Sequence, residues 1–318
     1  MAVAVITMAT AFSFTSCHNG NEPAPTQQTK DKTIQFYVAG IETRTINGNI
    51  NSSTLPQDHT VGVFGVPTQG SAIASNKKYT VGSDRNLTPD GSTEMVAKAN
   101  TTLNIYAYAP HNAAWISHST AQSFAVKADQ TYDDNYLASD LLHAAPEAIT
   151  VSEAQPSVGL TFNHKMARIQ VTVTNNKANE DLEGATIKLN NTILSGTFTP
   201  LSGAVAVATA DAEDITMATF DEIKNEVIAY AVIFPQTIAA QTTLFTIETE
   251  DKTFTATLGS ETTFEGGKSY AYTVNINEND VNITLQSKAT VTNWDSNTTG
   301  GNFDATENKK ESQQQPEP

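Results

Sequence analysis

A single cysteine, Cys17, is the only thiol in the chain. That scarcity excludes a disulfide framework and a thiolate zinc cluster. Basic residues are scarce as well: 18 Lys and Arg stand against 34 Asp and Glu, with no basic cluster. Nucleic acid and anionic membrane surfaces are bound through clustered Lys and Arg, so both are disfavoured as partners. No apolar run reaches the ~20 residues that a membrane-spanning helix needs. Sustained helical stripes are missing too, and only 135–143 and 220–224 read as short helices. There is no G-x-S-x-G elbow, and the six histidines at 18, 59, 111, 118, 143 and 164 form no H-x-x-x-H or H-E-x-x-H pair. The Gly266-Gly267-Lys268 turn lacks the spacing of a P-loop. The chain therefore reads as a non-enzyme, with no cofactor and no metal.

What the chain does have begins with an apolar stretch from Met1 to Phe14, which passes through Thr15 and Ser16 to Cys17 and then to polar His18, Asn19 and Gly20. This is the pattern of a bacterial lipoprotein signal, with 1–16 as the signal peptide and Cys17 as the lipidated residue. A thioether-linked diacylglycerol on Cys17 plus an acylated amino group supplies two or more chains, enough for stable anchoring. The expected location is the cell surface, as an outer-membrane lipoprotein. No Lys or Arg opens the run, a departure from the usual export signal that leaves open a start upstream of Met1. Residues 17–32, rich in Pro, Gln, Asn and Thr, read as a flexible tether.

Beyond the tether the pattern has period two. Ile34, Phe36 and Val38 alternate with Gln35 and Tyr37, Leu103 and Ile105 with Asn104 and Tyr106, and Ile169, Val171 and Val173 with Gln170, Thr172 and Thr174. Further runs of strand length fall at 227–234, 244–247, 254–258, 270–276, 281–285 and 289–294. Gly, Asn, Asp and Pro punctuate them at the intervals of a β-sandwich, so the fold class is all-β. A chain of 318 residues favours two domains. The Pro-bearing stretch 144–156 is the best seam, giving domains at 33–157 and 158–299 followed by a polar, disordered tail at 300–318.

Three groups of polar or aromatic residues invite a site reading. Asn86, Thr88, Asp90, Gly91 and Glu94 mimic half a calcium loop, but position twelve would be Ala97 where a bidentate carboxylate is needed, so an ordinary turn is expected. Asp129, Asp133 and Asp134 read as a solvated acidic loop. Trp115 and Trp294 suit core or edge packing better than sugar platforms.

Taken in order, TIQFYVAGIETRT at 33–45, VGVFGV at 61–66, LNIYAYAP at 103–110, NYLASDLLHA at 135–144 and LTFNHKMARIQVTV at 160–173 form a set. SGTFTP, YAVIFPQT, GGKSYAYTVNI and ATVTNW follow. This succession resembles the fimbrillin, or type V pilin, family of Bacteroidales lipoproteins, in its Mfa-like branch. The resemblance implies two transthyretin-like β-sandwich domains in tandem and assembly into surface fimbriae after proteolysis. It also implies a protease cut after Arg44, leaving Thr45 as the new N-terminus. From its chemistry alone Arg44 is an ordinary loop arginine, though the polar segment 47–54 beside it suits protease access. Removing a strand that carries Ile34, Phe36 and Val38 would open an apolar groove flanked by unpaired backbone groups, which another subunit's strand could fill.

Val281, Ile283 and Leu285, or Val291 with Trp294, could act as the donor strand, but the last strand of their own sandwich is the favoured reading. The tail after Gly300 has little apolar alternation and makes a poor donor, which suits a tip or accessory subunit. The expected function is thus a structural subunit or tip protein of fimbriae, assembled by protease-triggered strand exchange and contributing to adhesion. The expected partners are other fimbrial subunits, surface receptors, an Arg-specific protease and the outer membrane. The alternative is an anchored surface glycan-binding lipoprotein.

Overall fold

A computed structural model describes residues 30–41, 55–70, 74–91, 94–152, 154, 156–175, 181–223, 225–277, 284–285, 290–293, 301–304 and 306–309. The alternating run at the start splits at Ile34. Strand β1 (Asp31–Thr33) pairs with a distant strand, and β2 (Gln35–Ile41) enters a large sheet. That sheet collects β3 (Thr60–Pro67), β4 (Ala74–Val81) and β5 (Asn86–Pro89). The partner of β1 is β6 (Val96–Lys98), and β7 (Thr102–Ala109) returns to the sheet. Next come β8 (Gln122–Ala125), the helix α1 (Asp133–Ser139), β9 (Leu142–Ala144), β10 (Ile149–Thr150) and β11 (Ser157–His164).

The neighbours in the eight-stranded sheet run β10, β7, β3, β4, β5, β2, β11, β9, and β9 also pairs with β7. The sheet therefore closes on itself. Closure removes the open edges that would otherwise template pairing with other chains. Val38, Val61, Val63, Ile105, Leu160 and Phe162 are among the buried side chains that fill its interior.

The second half is a sandwich. Its first sheet orders β17 (Ala218–Ile223), β18 (Glu226–Ile233), β12 (Ala167–Asn175) and β23 (Lys268–Ile276). The facing sheet orders β16 (Glu213–Thr216), β13 (Thr186–Thr192), β20 (Thr243–Glu248) and β21 (Lys252–Leu258). The alternating Ile169, Val171 and Val173 of β12 meet Ile187, Phe245 and Phe254 of the facing sheet in one buried cluster, as two inner sheet faces do. Phe245 packs edge-on against Tyr272 at 5.4 Å. β14 (Ser195–Thr199) and β15 (Ala204–Val207) form a hairpin, and β19 (Gln236–Ile238) pairs with β22 (Thr262–Phe264). β24 (Thr284–Leu285) and β27 (Thr306–Lys309) run beside β21, while β25 (Thr290–Asn293) and β26 (Gly301–Asp304) run beside β23. The stretch 220–224, expected to be helical, instead contributes its first residues to β17.

The halves interlock through strands that are buried on both faces. On β7, Ile105, Ala107 and Ala109 point into the closed sheet, while Tyr108 joins the cluster of the second half with Phe64 of β3. Period two thus gives each half one face of the same strand. Gly62 makes room for Tyr108, since a Cβ there would lie 2.4 Å from the phenol ring. Tyr108 stacks at 4.6 Å on Trp115, whose Nε1–H donates to the Ser123 carbonyl at 2.9 Å, and Trp115 is buried as the sequence led us to expect.

The chain crosses to the second half after Pro110, where β8 pairs with β14, and returns through α1 to β9. The seam expected at 157/158 falls at the first residues of β11, which pairs with β2. β11 then continues into β12 through Lys165 and Met166.

β9 ties the two halves again. The His143 Nε2–H donates to the Pro200 carbonyl at 2.7 Å in the β14–β15 turn, and Gly203 (φ +66°) lies so close that a Cβ would sit 2.4 Å from His143 Nδ1. Burial lowers the His143 imidazole from 6.5 to about 4, against the raising effect of the Pro200 carbonyl. Burial also lowers His59 and His111. A depressed histidine binds its proton in the unfolded chain first. The stability it contributes is therefore complete above 6.5 and is lost as pH falls toward 4, on the order of 3 kcal/mol for a shift of this size. Urea midpoints should fall between pH 7 and pH 4.5, and His143→Gln should flatten part of that decline; a variant profile parallel to the parent would remove His143 as the cause.

Candidate functional site

β2 sits inside the closed sheet, between β5 and β11. It runs parallel to β11 with Ser157, Val158, Gly159 and Leu160 opposite Gln35, Phe36, Tyr37 and Val38. After a bulge at Ala39, Thr161 and Phe162 lie opposite Gly40 and Ile41. On the other side it is antiparallel to β5, pairing Phe36 with Leu87 and Tyr37 with Asn86, and Val38 N–H donates to the Arg85 carbonyl at 3.0 Å. Ile34 N–H donates to the Met95 carbonyl at 2.8 Å, and Gln35 N–H to the Pro156 carbonyl at 2.9 Å.

The three inward side chains are all but sealed from water: Ile34 is 2% exposed, and Phe36 and Val38 are 1% exposed each. Burying each contributes roughly 1.5–3 kcal/mol. Phe36 meets Tyr79 edge-on at 5.4 Å and 74°, and the Tyr79 hydroxyl accepts the Met95 N–H at 3.2 Å. Burial pushes Tyr79 up to about 12, so its hydroxyl is neutral and this wall is uncharged. Taking β2 away would leave an apolar trough and would strip the pairing partner from β11 on one side and β5 on the other.

The outward face is different. Tyr37 is 38% exposed and lies over Gly159, where a Cβ would come within 2.8 Å of the phenol oxygen. The sequence by itself marks neither Tyr37 and Gly159 as site residues nor Leu87, Met95 and Tyr79, which flank β2. The alternation of Val158, Leu160 and Phe162 was the available signal for the β11 wall. The Tyr37–Gly159 contact depends on register, which sequence alone does not supply.

Because β2 and β11 are parallel, the exit of β2 lies at the end of the sheet where β11 reaches His164. There His164 Nδ1–H donates to Asp140 Oδ1 at 2.7 Å. Cys17, Arg44 and Thr45 lie outside the described residues, as does Trp294.

The remaining candidates are occupied by structural contacts. Asp90 pairs with Lys78 at 3.1 Å, Glu94 accepts the Thr33 hydroxyl, and Asn86 bonds to Asp84. Asp129 accepts the Thr131 N–H, while Asp133 and Asp134 occupy the first turn of α1, where carboxylates favour a helix N-terminus. The helix expected at 135–143 begins at Asp133 and ends at Ser139, and the rest of the stretch leads into β9. Among the described residues, no group of three His, Cys, Asp or Glu is placed to hold a metal, and no helix is long and apolar enough to cross a membrane.

These features define an all-β protein whose distinctive element is a central strand near the start of the chain, inside an otherwise closed sheet. The chain belongs to the fimbrillin-like family, which it matches over residues 43–294. Membership implies a structural, non-enzymatic role at the cell surface, in fimbriae and adhesion, together with other fimbrial subunits. The same fold occurs in a proposed cell adhesion protein from Bacteroides ovatus (19% identity, TM-score 0.60), with 83% of this chain and 96% of that one covered. It also occurs in one from Bacteroides uniformis (16% identity, TM-score 0.59), with 83% and 99% covered. Among curated proteins, none matches the chain.

Phe36→Ala should cost about 3–5 kcal/mol in urea denaturation, as a large buried aromatic does when truncated. Thr88→Ala on the exposed face of neighbouring β5 should stay within about 0.5 kcal/mol. Equal effects from the two substitutions would contradict the burial of β2.

Proposed function

We propose that this protein is a subunit or tip protein of surface fimbriae that is exported as a lipoprotein through Cys17, cut after Arg44 and joined to its neighbour by strand exchange. In this reading scission releases the segment bearing Ile34, Phe36 and Val38, Thr45 becomes the N-terminus, and a strand of another subunit takes the vacated place. The division into two tandem sandwich domains belongs to the same proposal. One observation carries it: β2 is a central strand of a closed sheet, with its apolar side chains sealed inside, so its loss opens a single strand-shaped vacancy. The family match supports it further, because it begins at residue 43, two residues past the end of β2.

The place of Arg44 in the sequence also suits this order of events. A cut at Arg44 would fall three residues beyond Ile41, the last residue of the strand to be released. Main-chain bonds then supply affinity and the inward pockets supply selectivity, as in other cases of strand addition. Because donor and acceptor surfaces differ, the contact repeats head to tail and builds an open filament.

The test is made on intact cells. Wild-type surface material should begin at Thr45 by N-terminal sequencing and appear in filaments by electron microscopy. Arg44→Ala should leave chains beginning at lipidated Cys17 and absent from filaments. If the Arg44→Ala chain enters filaments as well as wild type does, the proposed cut plays no part in assembly.

A further inference from the structure

We infer that the slot held by β2 selects its occupant. It takes a strand running parallel to β11, with apolar side chains at the positions of Ile34, Phe36 and Val38 and an aromatic ring at the position of Tyr37. The inference rests on the strand-exchange reading and adds the chemistry of the partner.

Direction follows from the two walls. The present occupant is parallel to β11 and antiparallel to β5 at once. Parallel and antiparallel ladders space their hydrogen bonds differently, so a strand entering the other way round would be mismatched to both walls. The inward positions follow from the pocket: the Tyr79 ring, held by the Met95 N–H, presents its edge to whatever takes the place of Phe36.

The aromatic requirement comes from Gly159. A Cβ on that residue would lie 2.8 Å from the Tyr37 oxygen, 2.9 Å from its Cζ and 3.0 Å from the Ala39 Cβ, so the hollow over the glycine is filled by the tyrosine directly opposite. An aromatic side chain covering a cross-strand glycine is a recognised way of stabilising a sheet at a position that has no side chain of its own. Gly40 differs: the one atom within 4 Å of a Cβ there is Cγ2 of Thr161 opposite, at an ordinary contact distance of 3.9 Å.

An apolar side chain at the position of Phe36 and an aromatic ring at that of Tyr37 are therefore needed together, adjacent in sequence and pointing to opposite faces. Neither the 281–285 nor the 289–294 segment offers an apolar residue followed directly by an aromatic one.

The test uses the full chain with a protease site inserted between Ile41 and Leu55, cut there and freed of β2 in mild denaturant. Labelled peptides are then titrated by fluorescence anisotropy: 31–41, the same peptide with Tyr37→Ala, the same residues in reverse order, and 279–289. The expected result is binding of 31–41, about tenfold weaker binding of the Tyr37→Ala peptide, and no competition from the reversed or 279–289 peptides. Equal binding of the Tyr37→Ala, reversed or 279–289 peptide would overturn the selectivity and leave strand exchange standing. Failure of every peptide, 31–41 included, would overturn both.

Discussion

The parallel pairing of β2 with β11 is the contact on which the first half depends. β11 has only two neighbours in the sheet, β2 and the three-residue β9, and β9 carries the ring back to β7. With β2 in place the sheet has no gap and its interior side chains are buried. Without it the same residues that make a good core make an exposed apolar surface, and the backbone groups of two strands face water or another chain. In the proposed strand exchange, one removable element would make the fold inert before assembly and adhesive after it.

The second half completes its core with residues of the first. Phe64, Tyr108, Trp115 and Tyr136 all pack in the cluster built around β12, β18 and β20. The strands that supply Phe64 and Tyr108 also line the closed sheet from their opposite faces, so a change on one side of β3 or β7 is felt on the other. Buried side chains at near-crystalline density leave little slack for independent adjustment. Buried Gln130 is paired across the same junction, donating to the Val232 carbonyl and accepting the Val232 N–H.

Much of this was legible in the residues. Alternation at 34–38, 103–108 and 169–174 marked strands that occur where expected, and the inward set Ile34, Phe36 and Val38 follows directly from that period. What was hidden is non-local. Leu142, His143 and Ala144 sit within or beside a stretch whose composition suits a helix, yet they close the sheet because β7 and β11 offer backbone partners on both sides; tertiary pairing overrides a weak local preference. Residues at the start of 220–224 form a strand for the same reason, beside β18. The Tyr37–Gly159 pair is invisible without register, since neither residue type announces the other.

The bulge at Ala39 and the parallel run before it also bear on mechanical load. A strand seated along β11 and drawn along its own axis is pulled in shear, so the rungs between the two backbones share the force and yield together. A hairpin peeled from its end would instead surrender them one after another. Whatever occupies this seat is held in the orientation that best resists being dragged out lengthwise.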